Sequence, residues 1–135
     1  MLKSVTLGIS IHRSPQVVYD YVSNAENLPK WATMFCKSVE RADGDWIVET
    51  PQGPVKLRVA ARNTCGVLDH YVTVSSGIEV YVPMRVVTNG KGSELLFTLL
   101  REEDVPDEQC EEDMRWVSQD LRNLKSVLEA INVDA

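Results

Sequence analysis

Residues 107–131 predict one long amphipathic helix that follows an almost uninterrupted series of strands. Its apolar residues recur every three or four positions, which keeps them on one side of an α-helix: Cys110, Met114, Val117, Leu121, Leu124, Leu128 and Ile131. A helix with one apolar side must bury that side, and the preceding strands are the only large partner. We therefore predict an α+β fold in which this helix lies against a sheet.

The residues before this helix alternate between apolar and polar side chains, as half-buried strands do. In the first strand, Val5, Leu7 and Ile9 alternate with polar or small residues. The pattern predicts strands at residues 3–12, 36–41, 46–50, 55–62, 67–74, 78–87 and 93–101. We expect a curved antiparallel sheet of about seven strands around the C-terminal helix.

Two short helices are predicted directly after the first strand. Ser14 suits the N-cap of the first, with Pro15 at the first helical position, where its missing N–H has no cost. The second covers residues 25–31 despite Pro29. Two short helices at this point are unusual, and they narrow the choice of fold.

The composition fits one globular domain, residues 1–135, with 44% hydrophobic and 25% charged residues. No apolar run approaches the ~20 residues that cross a bilayer. The N-terminus alternates and lacks the apolar block of a signal peptide. We expect a cytoplasmic protein with no transmembrane segment.

The sequence argues against several classes of site. Cys36, Cys65 and Cys110 form no CxxC pair, and there are only two histidines, so we expect neither a disulfide framework nor a metal site. Residues 89–92 are a hairpin turn and not a phosphate loop, because no helix follows them. No basic stripe indicates nucleic-acid binding. We expect no metal, cofactor or nucleic acid.

The net charge of −6 owes much to an acidic segment, residues 102–113. Carboxylates near a helix N-terminus are stabilised by the helix dipole, so we expect this segment to act locally on the long helix. The alternative is an acidic patch that recruits a basic partner.

Loop lengths predict how three of the strands pair. A four-residue loop places Ala60 opposite Asp69, and a three-residue loop places His70 opposite Val82. His70 then lies on the apolar face of its strand, with Leu68, Val72 and Val74. Asp69 cannot simply be its partner, because consecutive strand residues point to opposite faces.

The same registers predict a charged network on the outer face of the sheet, formed by Asp69, Arg58, Arg62 and Arg85. A bulge near Pro83 would reverse Arg85 and turn it inward. The side taken by Arg85 therefore stays open at the level of sequence.

The order of one strand, two small helices, six strands and a long helix resembles the helix-grip superfamily. This superfamily includes START lipid-transfer domains, birch-pollen-allergen-like proteins and bacterial polyketide cyclase/dehydrase-like proteins. The resemblance covers essentially the whole chain and is carried by residues 14–22, 24–31 and 116–125. It implies an apolar cavity between sheet and helix, used for lipids, polyketides, quinones or hormones. The superfamily shares no catalytic motif.

Within this fold, the candidate ligand-binding residues are Trp31, Phe35, His70, Met84, Met114 and Val117. Trp31 and Phe35 follow the second small helix, where such folds have a pocket mouth. Met84 and Met114 are flexible side chains that suit variable ligands. His70 is also the candidate catalytic residue, as an acid or base or as a donor to a ligand carbonyl.

Three functions fit these predictions. The first is binding or transport of a small hydrophobic or amphipathic ligand, such as a lipid, a polyketide or a quinone-like molecule. The second is a polyketide cyclase/dehydratase-type enzyme that uses His70 as acid or base and needs a second polar group inside. The third is a ligand-free interaction module of the chaperone-activator type. A cavity with one polar group favours the first, converging polar groups the second, and a filled core the third. The sequence does not determine the oligomeric state.

Overall fold

Strands and helices follow each other in the predicted order in the computed structural model, which describes residues 1–131. The helices are α1 (Pro15–Val22), a 3₁₀ turn (Ala25–Asn27), α2 (Leu28–Trp31) and α3 (Asp107–Ala130). The strands are β1 (Lys3–Ile11), β2 (Ser38–Ala42), β3 (Asp45–Thr50), β4 (Gly53–Val59), β5 (His70–Thr73), β6 (Glu79–Val82), β7 (Met84–Asn89) and β8 (Gly92–Arg101). The α+β helix-grip architecture is therefore confirmed.

The strands form two antiparallel sheets, in the orders β1-β8-β7 and β2-β3-β4-β5-β6. The described residues contain eight strands instead of about seven, because the predicted strand 78–87 is divided at Pro83. Proline has no N–H to donate to a neighbouring strand, so regular pairing stops there. The carbonyl of Pro83 still accepts a hydrogen bond from the N–H of Thr98 at 3.0 Å, which links β6 and β7 to β8.

The predicted registers are confirmed. The N–H of Ala60 donates to the carbonyl of Asp69 at 2.9 Å, and His70 pairs with Val82. Beyond β5, the N–H of Leu68 donates to the carbonyl of Met84 at 2.9 Å, so the pairing continues across the division between the sheets. His70 therefore lies on the inner, apolar face.

The first short helix has the predicted cap. The Ser14 side chain accepts a hydrogen bond from the N–H of Val17 at 3.4 Å, and Pro15 begins α1. The Asn24 side chain accepts from the N–H of Glu26 at 3.1 Å and starts the 3₁₀ turn that leads into α2. Beyond these caps, α1 packs against β7 and β8, and α2 packs against β2 and α3.

The long helix is buried mainly in its second half. Leu121, Leu124 and Leu128 are 2%, 0% and 0% exposed, whereas Met114 and Val117 are only half-buried. The second half thus packs in the core beside β1 and α2, as the apolar stripe predicts. In residues 1–131, no helix is long and apolar enough to cross a membrane.

At the start of α3, only Asp107 and Glu108 of the acidic segment lie in the first turn. Asp107 also forms an ion pair with Arg101 at 2.6 Å. The dipole effect falls off within one turn, so it concerns these two residues more than Glu111 and Glu112.

The predicted network of outer charges is only partly correct. Asp69 pairs with Arg85 on the outer face, as predicted. Arg58, however, pairs with Glu79 at 3.4 Å, and Arg62 pairs with Asp20 at 2.5 Å. Because β4 ends before Arg62, this side chain leaves the sheet and turns towards α1, a contact that strand alternation cannot reveal.

Candidate functional site

A cavity of about 450 Å³ lies between the first half of α3 and the concave side of the sheets. This volume is in the ordinary range for small-molecule sites. Strands β4 to β6 contribute Leu57, Val59, Val72 and Val82 to its wall. The sheet and the helix thus separate where α3 leaves the core.

Five of the six predicted site residues line this cavity: Trp31, Phe35, His70, Met84 and Val117. Met114 is not among the lining residues. An α-helix turns by about 100° per residue, and the side of α3 that faces the cavity runs through Asp113, Val117 and Asp120. Met114 is rotated away from that side and borders a shallow surface depression with Arg115 and Ser118.

The turn after α2 is attached to α3 by Asp120, which sequence reasoning did not place in the site. Its carboxylate accepts hydrogen bonds from the N–H groups of Met34 at 2.9 Å and Phe35 at 3.3 Å. Asp120 is 6% exposed, and burial raises its pKa despite these two donors. An acidic residue between Val117 and Leu124 on the apolar side was the available sequence signal.

Cys36 lies beneath the same turn as a buried thiol. Its Sγ donates to the carbonyl of Ser38 at 3.4 Å, and burial, together with the negative charge of Asp120, raises its pKa to about 11. A thiol with so high a pKa stays protonated and is a poor nucleophile. Within residues 1–131, no three His, Cys, Asp or Glu side chains converge to hold a metal ion.

His70 is the imidazole in the cavity wall, at the start of β5. Its Nδ1 lies 3.2 Å from the carbonyl of Leu68, and its ring and that of Phe97 are in edge-to-face contact at a centroid distance of 6.0 Å. Burial lowers the pKa of His70, against smaller opposing effects of the Leu68 carbonyl and the charge of Asp69. The imidazole is therefore neutral near pH 7.

A carbonyl oxygen can only accept a hydrogen bond, so the contact with Leu68 requires the proton of the neutral ring to be on Nδ1. Nε2 then carries the lone pair. The predicted donation from His70 to a ligand carbonyl does not fit this tautomer, because the single N–H is already used by the backbone.

Three carboxylate residues border the cavity: Asp69, Asp113 and Asp120. The carboxylate of Asp69 is held on the outer face by the hydroxyl of Tyr81 at 2.8 Å and by Arg85. That of Asp113 accepts from Gln109 at 2.9 Å. Among the lining residues of the described chain there is no lysine or arginine, and Arg85 lies outside.

Residues 11–93 match the sequence model of the family described as polyketide cyclase / dehydrase and lipid transport. The match covers more than half of the chain, from the end of β1 to the start of β8. None of the curated proteins compared with the chain matches it in sequence.

Several solved structures are similar over nearly the whole chain. XoxI from Bacillus cereus has 16% identity and a TM-score of 0.77, covering 96% of this chain and 97% of its own. The Aha1 dimer from Colwellia psychrerythraea has 16% identity and a TM-score of 0.76, covering 96% and 98%. Ara h 8.0201 has 11% identity and a TM-score of 0.69, covering 97% and 100%. At these identities the likeness concerns the fold alone.

Proposed function

The chain belongs to the polyketide cyclase / dehydrase and lipid transport family, and from this premise we propose that it binds a small hydrophobic or amphipathic molecule beneath α3. The observation that carries the proposal is the cavity of about 450 Å³, lined mostly by apolar side chains. In the proposal, Trp31, Phe35, His70, Met84 and Val117 contact the ligand.

The packing of α3 supports a ligand. In its second half Leu121, Leu124 and Leu128 are buried, but Val117 and Phe35 remain half-buried at the cavity. Covering apolar surface of this kind is worth about 25 cal/mol per Å². A ligand between helix and sheet would therefore bury the apolar surface that the first half of α3 leaves uncovered at the cavity. The leucines of the second half are already buried in the core.

The surroundings of His70 favour binding over catalysis. Acid–base catalysis commonly needs a second group that orients the imidazole or shares its proton. Asp69 points to the outer face, and Asp120 is occupied by two backbone N–H groups. Among residues 1–131, His70 has only the Leu68 carbonyl as a hydrogen-bond partner, so a catalytic role is not part of this proposal.

Titration with Nile red, an uncharged apolar dye, tests the proposal. We expect saturable fluorescence enhancement with one site per chain. Val117→Trp should fill the cavity and weaken binding at least about tenfold, which is ~1.4 kcal/mol. The matched control is Met114→Trp, on the same helix but outside the cavity, which should leave the affinity unchanged.

Circular dichroism melts would show that both variants fold. Absence of saturable binding, or an equal effect of the two tryptophans, would overturn the proposal.

A further inference from the structure

Resting on the proposed function, we propose that the ligand is an uncharged apolar molecule with a hydroxyl group, a phenol or an alcohol, that donates a hydrogen bond to Nε2 of His70. The inference deepens the proposed function by naming the chemical class of the ligand. It follows from the tautomer of His70, from the position of Nε2, and from the charges around the cavity.

The tautomer makes the free nitrogen an acceptor. The bond from Nδ1 to the Leu68 carbonyl is local, because it joins residues two positions apart along the chain. A neutral imidazole has one N–H, so Nε2 is left with its lone pair. A ligand hydroxyl can donate to it, whereas a carbonyl or an ether oxygen cannot.

Nε2 is also not sealed by protein. It has no hydrogen-bond partner in residues 1–131. It is not one of the unpartnered side-chain atoms that lack accessible surface, so part of Nε2 is accessible. Protein surrounds the ring closely, with Val59 and Val82 on the neighbouring strands and Phe97 at its edge. His70 lines the cavity, and in the proposal the accessible surface of Nε2 faces it.

The apolar neighbours cannot satisfy this acceptor. Val59, Val82 and Phe97 have no N–H or O–H in their side chains, and the hydroxyl of Tyr81 donates to Asp69 on the other face. Displacing water from an acceptor without replacing its hydrogen bond is unfavourable. A ligand that covers this part of the cavity wall therefore binds more tightly when it places a hydroxyl group at Nε2.

The charges around the cavity exclude an anion. Asp113 and Asp120 line it, the carboxylate of Asp69 is paired with Arg85 on the outer face, and within residues 1–131 no lysine or arginine lines the cavity to pair with a carboxylate or phosphate. A buried anion without a cationic partner is strongly disfavoured. Fatty acids and phospholipid headgroups therefore fit poorly, and neutral molecules fit well.

Three probes of nearly equal shape test the inference near neutral pH: 2-naphthol, 2-methoxynaphthalene and 2-naphthoate, each measured by displacement of Nile red and by calorimetry. We expect 2-naphthol to bind about tenfold tighter than the ether, which is ~1.4 kcal/mol, and 2-naphthoate to bind weakest. Apolar area alone predicts the reverse order for the first two, because the ether has an additional methyl group.

His70→Phe keeps a flat ring and removes the acceptor, so the naphthol and the ether should then bind equally. The matched control is Tyr71→Phe, the next residue along β5 but on the outer face, stacked on Tyr81. This control should retain the tenfold preference.

Equal affinities for naphthol and ether in the unaltered protein, or tightest binding of naphthoate, would overturn this inference while leaving the proposed function in place. If neither Nile red nor any of the probes binds, the proposed function fails as well. Because the comparison of probes uses the unaltered protein, it decides the matter even if His70→Phe does not fold.

Discussion

The carboxylate of Asp120, on α3, accepts a hydrogen bond from the backbone N–H of Met34 at 2.9 Å, across a separation of 86 residues. The adjacent N–H of Phe35 reaches the same carboxylate. The turn that follows α2 is thereby attached to the helix on the other side of the cavity. The positions of Trp31 and Phe35 consequently depend on a residue that is far away in sequence.

Asp120→Ala should lower the free energy of unfolding by about 1–3 kcal/mol, because two N–H groups lose their acceptor in a part-buried turn. It should also weaken Nile red binding, since Phe35 is no longer held in place. Urea denaturation and dye titration measure the two effects. Asp113→Ala is the control for stability: among residues 1–131 its carboxylate bonds only to Gln109, and a change below about 0.5 kcal/mol is expected.

Leu124→Ala should cost about 2–5 kcal/mol of stability, because this side chain is 0% exposed in the core. Met114→Ala, in the half-buried first part of α3, should cost less than about 2 kcal/mol. Urea midpoints at a constant m-value give both numbers. Equal costs would contradict the division of α3 into a core half and a cavity half.

Gly66→Ala should destabilise the protein more than Gly77→Ala does. Both glycines have positive φ, +71° and +87°, where an alanine costs about 1–2 kcal/mol. A Cβ at Gly66 would also come within 2.3 Å of the carbonyl oxygen of Val86, whereas Gly77 has open space. The difference in stability between the two variants, measured by thermal and urea melts, reports the cost of the close contact between Gly66 and β7.

The stability of the protein should fall as the pH drops below about 6.5, the ordinary pKa of histidine. His70 has a lowered pKa when folded, so in this range the unfolded chain takes up a proton that the folded protein does not bind. The loss should stop below the folded pKa of His70.

His70→Phe should remove this part of the pH dependence, and subtraction of the two urea-melt series cancels every other titrating group. A difference between the two proteins that does not change between about pH 7.5 and pH 5 would mean that the imidazole is not desolvated by the cavity wall.

Much of the fold was predictable because its signals are local. Strand alternation, the cap at Ser14 and the apolar stripe of α3 each depend on residues a few positions apart, where the geometry of strands and helices is regular. Short loops also carry the register, and this placed His70 opposite Val82 on the inner face. The cavity-lining positions of Trp31, Phe35, Met84 and Val117 follow from the same periodicities and from the resemblance to the helix-grip superfamily.

The sequence by itself thus determined the order of elements, the faces of the strands and the side of the helix that is buried. Only the tertiary structure decided that Pro83 divides a strand between two sheets, that Arg62 pairs with Asp20, that Met114 is turned out of the cavity, and that Asp120 attaches the turn after α2. Each of these depends on how distant segments approach one another. Periodicity fixes the direction of a side chain relative to its own element, but a polar group that leaves water takes whichever partner the packing brings within reach.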